Sequence, residues 1–392
     1  MSTPGRPLRV AMIGSKGIPA TVGGVERIVE ELSARLGERG HQVSVYARRG
    51  YVGSAAPERH RGVRVRVTPS LPGKYSDTLS HAFASVLDGL PRGFDIWHVH
   101  SLGNAPVIPL LRAAGARVLF HVHGQEWKGG KWGKKAQDYF RRCERLGLAA
   151  AQRTVVNTLA SRDDYQARLG RESTFIPNAV EVPEPRPTGI LERLGVPPDG
   201  FLLFVGRLVP EKGCHHLIEA HRRLKLDLPI VVCGEGAHSD DYVARLKASA
   251  GPSVRFGGTI LGAELTELYA ACRLLVNPTE RDAVSLVLLE AMGQGAPVLA
   301  SDIPEMLEGV GGAGFHFRSG DASDLARVLG DLLAHPERLE GVRGLARERV
   351  LREYAWPSVV DRFEAVYREM MRARVEKMRR GPDHSGSPGP GR

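Results

Sequence analysis

Two doubly wound, Rossmann-like α/β domains facing each other across a central cleft are what this 392-residue sequence predicts. Three observations carry that expectation. Short apolar runs alternate with segments of helical period from residue 8 onward, the βαβ order that builds parallel sheets. The alternation stops at a proline-rich stretch (Pro183, Pro185, Pro187) and starts afresh at residue 201. The chain is also too long for one ordinary core. The expected divisions are residues 1–182, 183–356, a last helix over 357–375, and a basic, disordered tail from 376 to 392.

In the first half, residues 8–13 form a strand turned by Gly14-Ser15-Lys16-Gly17, and the loop runs on to Gly23-Gly24. Val25, Ile28, Val29, Leu32 and Leu36 then recur at helical spacing, Gly40 ends the helix, and 42–46 is the next strand. The loop is neither GxGxxG nor a Walker A sequence. Gly23-Gly24 would let a phosphate or hydroxyl approach the backbone, although a plain flexible turn explains the pair equally well. Further strands are expected at 63–67, 96–99, 118–122, 154–156 and 174–176. Two of them carry histidine pairs, His98 with His100 and His121 with His123. Residues two apart share one side of a strand, which admits a metal-binding reading, but no third ligand has a suggestive spacing. His98 and His121 read as structural. His123, at a strand end beside Gly124, reads as a ligand contact.

The second half repeats the pattern. Residues 201–205 are a strand, followed by the loop GRLVPEKG (206–213) and a helix from Cys214. Strands at 229–233 and 254–256 follow, the first ending in Gly234-Glu235-Gly236. A strand at 274–276 then leads through a polar loop into a helix opening near Val284-Ser285, with another strand at 298–300. That helix is apolar nearly all round, so Glu290 within it needs a partner. Free N–H groups at such a strand–loop–helix corner suit an anionic ligand.

Composition excludes several classes. Apolar and charged fractions of 42% and 25% are those of a soluble globular protein. No apolar run nears the roughly 20 residues that span a bilayer, and the N-terminus lacks a signal-peptide pattern. Four scattered cysteines argue for a reducing cytoplasm and against structural zinc. The +10 charge has no nucleic-acid module beside it, so a nucleic-acid partner is not expected.

GRLVPEKG, IPNAV (176–180) and an acidic residue eight positions before Glu290 together resemble the retaining glycosyltransferases of the GT-B fold, family 4. GSKGIPATVGGVERIVEELS and HVHGQEWKGGKWG resemble its bacterial rhamnosyltransferase-like branch. The likeness runs from residue 8 to about 375, and it implies that the last helix crosses back to pack on the first domain. Two departures stand out: Asp282 replaces the usual first Glu, and Ala283-Val284-Ser285 replaces Gly-Phe-Gly. The resemblance implies that Arg207 and Lys212 grip the donor diphosphate, neutralising charge that grows as it leaves. It implies that backbone N–H groups of Leu286 and Val287 assist, that Glu290 accepts from the ribose and Asp282 from the transferred sugar, and that His123 lies near sugar and acceptor. Glu280 is the alternative sugar carboxylate. Gly23 and Gly24 would line the phosphates from the opposite wall. Gly206, Glu235 and Ser285 complete the donor-binding set.

The implied activity is transfer of a hexose-type sugar from a nucleotide diphosphate donor to a hydroxyl of a lipid-linked saccharide, glycan or small-molecule acceptor. No cofactor and no metal are expected, since basic side chains stand where other transferases use a divalent ion. The expected location is cytoplasmic, with peripheral contact to an anionic membrane left open. A sugar-nucleotide epimerase would instead convert donor without acceptor, and a non-catalytic subunit would bind donor without transferring it.

Overall fold

The computed structural model describes residues 6–21, 24–53, 56–73, 76–128, 133–236, 240–281 and 285–379, with side chains through residue 372. They form two compact units. One holds the chain to residue 157, residues 161–176 and those from 360 on; the other holds 158–160 and 177–359.

The first unit is built on an eight-stranded sheet in the order β3-β4-β2-β1-β5-β6-β7-β8. Its strands are β1 (Arg9–Ile13), β2 (Gln42–Arg48), β3 (Arg59–His60), β4 (Val63–Thr68), β5 (Ile96–His100), β6 (Val118–Val122), β7 (Arg153–Val156) and β8 (Thr174–Phe175). All neighbours pair in parallel except β3 with β4. β1 and β6 are buried along nearly their whole length, as parallel strands covered on both faces must be. Helix Gly24–Glu38 crosses from β1 to β2 and buries Ile28, Val29, Leu32 and Leu36 along one stripe.

The second unit has six parallel strands in the order β11-β10-β9-β12-β13-β14. They are β9 (Leu202–Val205), β10 (Ile230–Cys233), β11 (Val254–Gly258), β12 (Leu274–Asn277), β13 (Val298–Ser301) and β14 (Phe315–Phe317). The chain winds outward from β9 through β10 to β11, then returns to β12 and winds the other way. That reversal leaves a crevice at the carboxyl ends of β9 and β12, where open α/β sheets bind ligands. The first unit reverses in the same way between β1 and β5.

Several expectations need correction. The first sheet is not wholly parallel: the two-residue strand β3 adds an antiparallel edge, too short to carry a periodic signal. The change of unit falls at 176/177 and not at 182/183, because Val180 is buried in the second core and its N–H donates to the Tyr354 carbonyl at 2.9 Å. The last helix, Trp356–Arg379, begins in the second unit and belongs to the first from Val360. There the Tyr367 hydroxyl lies 2.7 Å from His98 Nδ1. β14 had no counterpart in the sequence reading. The expected tail overlaps the end of this helix, which extends to Arg379; residues beyond it lie outside the described ones.

Candidate functional site

In the second unit, the loop after β9 runs from Gly206 to Gly213, with a single 3-10 turn at Pro210–Lys212. Arg207 is exposed and Lys212 half-buried. The loop is held from both sides. Leu208 N–H donates to the Glu235 carbonyl at 2.8 Å, and Glu280 N–H to the Glu211 carbonyl at 2.9 Å. Two glycines make these approaches feasible. A methyl group on Gly234 would sit 1.9 Å from the Gly206 carbonyl oxygen, and one on Gly213 would sit 2.0 Å from that of Pro278. The loops after β9, β10 and β12 therefore touch backbone to backbone, which brings Gly206, Arg207, Lys212 and Glu235 to one sheet edge.

The helix after β12 spans Leu286–Gly293 with Ser285 as its N-cap. The Ser285 hydroxyl accepts from Asn277 Nδ2 at 3.2 Å and makes no cap bond to the helix. Leu286 and Val287 are half-exposed while Leu288, Leu289, Ala291 and Met292 are buried, so the first turn keeps its N–H groups at the edge. Glu290 is half-buried and accepts from the Tyr269 hydroxyl at 3.2 Å. Burial, then the Glu290 charge, holds the Tyr269 phenol well above its usual range, so it stays a donor. Asp282 lies outside the described residues, as do Ala283, Val284 and Gly23.

Three residues here escaped the sequence reading. His216 Nε2 lies 2.8 Å from Glu280 Oε1, which ties Glu280 to the helix that follows Lys212. The neighbouring His215 places Nδ1 2.9 Å from the Tyr242 hydroxyl. Nitrogens of His215 and His216 and an oxygen of Glu280 lie within 4.8 Å of one another. The adjacent histidines directly after Lys212-Gly213-Cys214 were the available signal, but only the fold brings Glu280 and Tyr242 to them.

In the first unit, the loop after β1 is fastened by acids of the next helix. Lys16 N–H donates to Glu26 at 3.0 Å and Ala20 N–H to Glu30 at 2.9 Å. Gly24 opens that helix, and a methyl group there would meet nothing within 4 Å. The histidine pairs come together across β5 and β6, where His100 is the register partner of His121. His98 Nε2 lies 3.2 Å from His121 Nδ1, and His100 Nδ1 lies 2.9 Å from His123 Nε2. His98 and His100 stack at 4.1 Å between ring centres.

The third ligand missing from the sequence reading is thus supplied by register: nitrogens of His98, His100 and His121 lie within 4.8 Å. His98 has partners on both nitrogens, as a structural histidine should. His121 does not: its Nε2 is buried without a hydrogen bond, as are His100 Nε2 and His123 Nδ1. Burial, reinforced by the neighbouring imidazoles, holds His98, His100 and His121 well below the usual range, and burial alone takes His123 to about 3. All four rings are neutral at pH 7. Nearby in sequence, burial pushes the Glu126 carboxyl up to about 7, only partly offset by the N–H groups of Glu126 and Leu102.

Paired doubly wound units whose loops gather at the carboxyl edges define the GT-B class, and the chain is a glycosyltransferase of that type. It belongs to the family 4-like glycosyltransferases. The model described as "Glycosyl transferase 4-like domain" matches residues 23–179, and "Glycosyl transferases group 1" matches residues 200–335. D-inositol 3-phosphate glycosyltransferase 1 of Catenulispora acidiphila is 29% identical, over 88% of this chain and 90% of its own length. Alpha-maltose-1-phosphate synthase of Mycobacterium tuberculosis is 28% identical over 58% of this chain, which spans 65% of that relative. Among solved structures, Anabaena HepE in complex with UDP aligns at TM-score 0.76 and 18% identity, over 92% of this chain and 100% of that one; it is also solved with UDP-glucose. Among the described residues no helix is long and apolar enough to cross a membrane.

Proposed function

We propose that the chain transfers a hexose-type sugar from a nucleoside diphosphate donor to a hydroxyl of a saccharide, lipid-linked saccharide or small-molecule acceptor, with retention at the anomeric carbon. One observation supports this best: Arg207 and Lys212 lie on the loop after β9, at the reversal point of the second sheet, alongside the helix mouth at Leu286 and Val287. Two cations and a helix dipole at one edge would stabilise the negative charge that builds as the diphosphate departs. Glu290 is assigned to the ribose hydroxyls, Asp282 to the sugar, and His123 to the acceptor side.

The bond from the anomeric carbon to the phosphate oxygen breaks while a bond to the acceptor oxygen forms on the same face. The acceptor proton passes to the leaving phosphate. Because Arg207 and Lys212 provide the positive charge, the reaction is proposed to need no divalent ion.

Calorimetric titration of UDP and UDP-sugars into protein dialysed against EDTA tests this reading, with transfer assayed in the same buffer. Binding and transfer should both survive. Glu290→Gln should weaken UDP binding by about tenfold, since a charge-assisted bond is worth roughly 1.5–3 kcal/mol. Asp282→Asn should leave UDP binding nearly unchanged and depress transfer. An absolute need for Mg²⁺ or Mn²⁺ would refute the phosphate assignment and direct attention to His215, His216 and Glu280.

A further inference from the structure

The opposite edge of the first unit's sheet carries a feature that donor chemistry does not explain. A cavity of about 570 Å³ opens at the amino ends of β1, β2 and β4, and the guanidinium-bearing residues Arg9, Arg59, Arg64, Arg66 and Arg92 all line it. No Asp or Glu is among its described lining residues.

The sheet itself creates this crowding. Arg64 and Arg66 are two apart on β4 and so share a face. Arg59 on β3 is the direct antiparallel partner of Arg64, and like charges placed opposite each other destabilise a strand pair. Asp88, the acid beside Arg66 and Arg92, is largely committed. It accepts two bonds from Arg92, at 3.0 and 2.8 Å, and one from the Tyr46 hydroxyl at 2.9 Å. Its distance to Arg66 is 3.8 Å. Arg66 Nε is buried without a hydrogen bond. Arg9, Arg59 and Arg64 form no ion pair with any described residue; Arg59 donates to the Gly62 carbonyl at 3.1 Å, and Arg9 lies 6.0 Å from the centre of the Phe94 ring.

We infer that this cavity binds a phosphate-bearing ligand, through the forked guanidiniums of Arg59, Arg64 and Arg66. Arginine forks match phosphate oxygens two at a time, and such charge-assisted bonds strengthen where water is partly excluded. A cavity of this volume admits a phosphorylated small molecule or a lipid headgroup. Phosphate would relieve the repulsion between Arg59 and Arg64 and supply the acceptor that Arg66 Nε lacks. The site is separate from the proposed donor loops, which lie in the second unit, and the inference does not depend on the transfer reaction.

The test uses the full chain carrying Arg207→Ala and Lys212→Ala, so that the donor loop contributes little to phosphate binding. Inorganic pyrophosphate titrated calorimetrically should bind saturably, and Arg59→Gln with Arg64→Gln should weaken it by about tenfold or more. Both positions are exposed, so the variant should fold, checked by an unchanged thermal midpoint without phosphate. Co-sedimentation with phosphatidylglycerol–phosphatidylcholine vesicles, against phosphatidylcholine alone, separates the sources. Retention that is lost in the variant identifies a headgroup; pyrophosphate binding without retention identifies a soluble phosphate ester. If neither probe binds, or if the substitutions leave both unaffected, the inference is overturned.

Discussion

Lys212→Ala and Arg207→Ala should each lower turnover by two or more orders of magnitude, roughly 3 kcal/mol of transition-state stabilisation, without unfolding the protein. Arg207 is exposed and packs no core, so little structure is lost with it. Lys212 precedes the helix Cys214–Leu224 on a loop whose backbone bonds survive truncation of the side chain. The charge each supplies is needed most when the diphosphate leaves. The fall should therefore appear in kcat at least as strongly as in donor affinity. Steady-state kinetics with thermal unfolding of the same samples decides the matter. Wild-type turnover in both folded variants would remove the phosphate grip from the second unit.

Gly213→Ala should be comparably damaging by a different route. Gly213 sits at φ +68°, which costs alanine about 1 kcal/mol. Its new methyl group would also lie 2.0 Å from the Pro278 carbonyl oxygen. Relieving that overlap must move the Lys212 loop or the end of β12, at a further cost of about 1–3 kcal/mol. A lowered urea midpoint is expected, with turnover falling further than the unfolded fraction explains because Lys212 is displaced. Gly341→Ala is the contrast. It lies inside helix Pro336–Glu353 with open space around it, and should instead raise stability by about 0.5–1 kcal/mol. If Gly213→Ala behaves like Gly341→Ala, the seam between the two loops is softer than its geometry implies.

The alternation of strands and helices was legible because parallel strands read as apolar runs and their crossover helices as stripes. GRLVPEKG was legible as a loop since glycine and proline punctuate it, and Glu290 because a carboxylate in an apolar helix stands out. What the sequence could not convey depended on register and on contacts distant along the chain. His100 meets His121 only because β5 and β6 pair in that register. His216 finds Glu280 across 64 residues, and Gly234 looks like an ordinary turn glycine until the Gly206 carbonyl is placed against it. Arg64 and Arg66 alternate with Val63, Val65 and Val67, a pattern that by itself says nothing of a cluster. The gathering of Arg64 and Arg66 with Arg9, Arg59 and Arg92 required the strand order.

The four neutral imidazoles on β5, on β6 and just beyond β6 also set how the fold responds to acid. In the unfolded chain each takes up a proton near its ordinary value of 6.5, whereas in the fold each is held far below it. Unfolding below pH 6.5 therefore absorbs up to four protons at these positions. The stability present above that pH drains away as the pH falls, until the folded rings themselves titrate, near 3 for His123. Glu126 acts in the opposite sense, its raised value favouring the fold at lower pH. Four sites outweigh one, with a slope of up to about 5 kcal/mol per pH unit when all four respond together. The four rings therefore make the fold acid-sensitive, and thermal midpoints measured from pH 7 down to pH 5 should fall steadily.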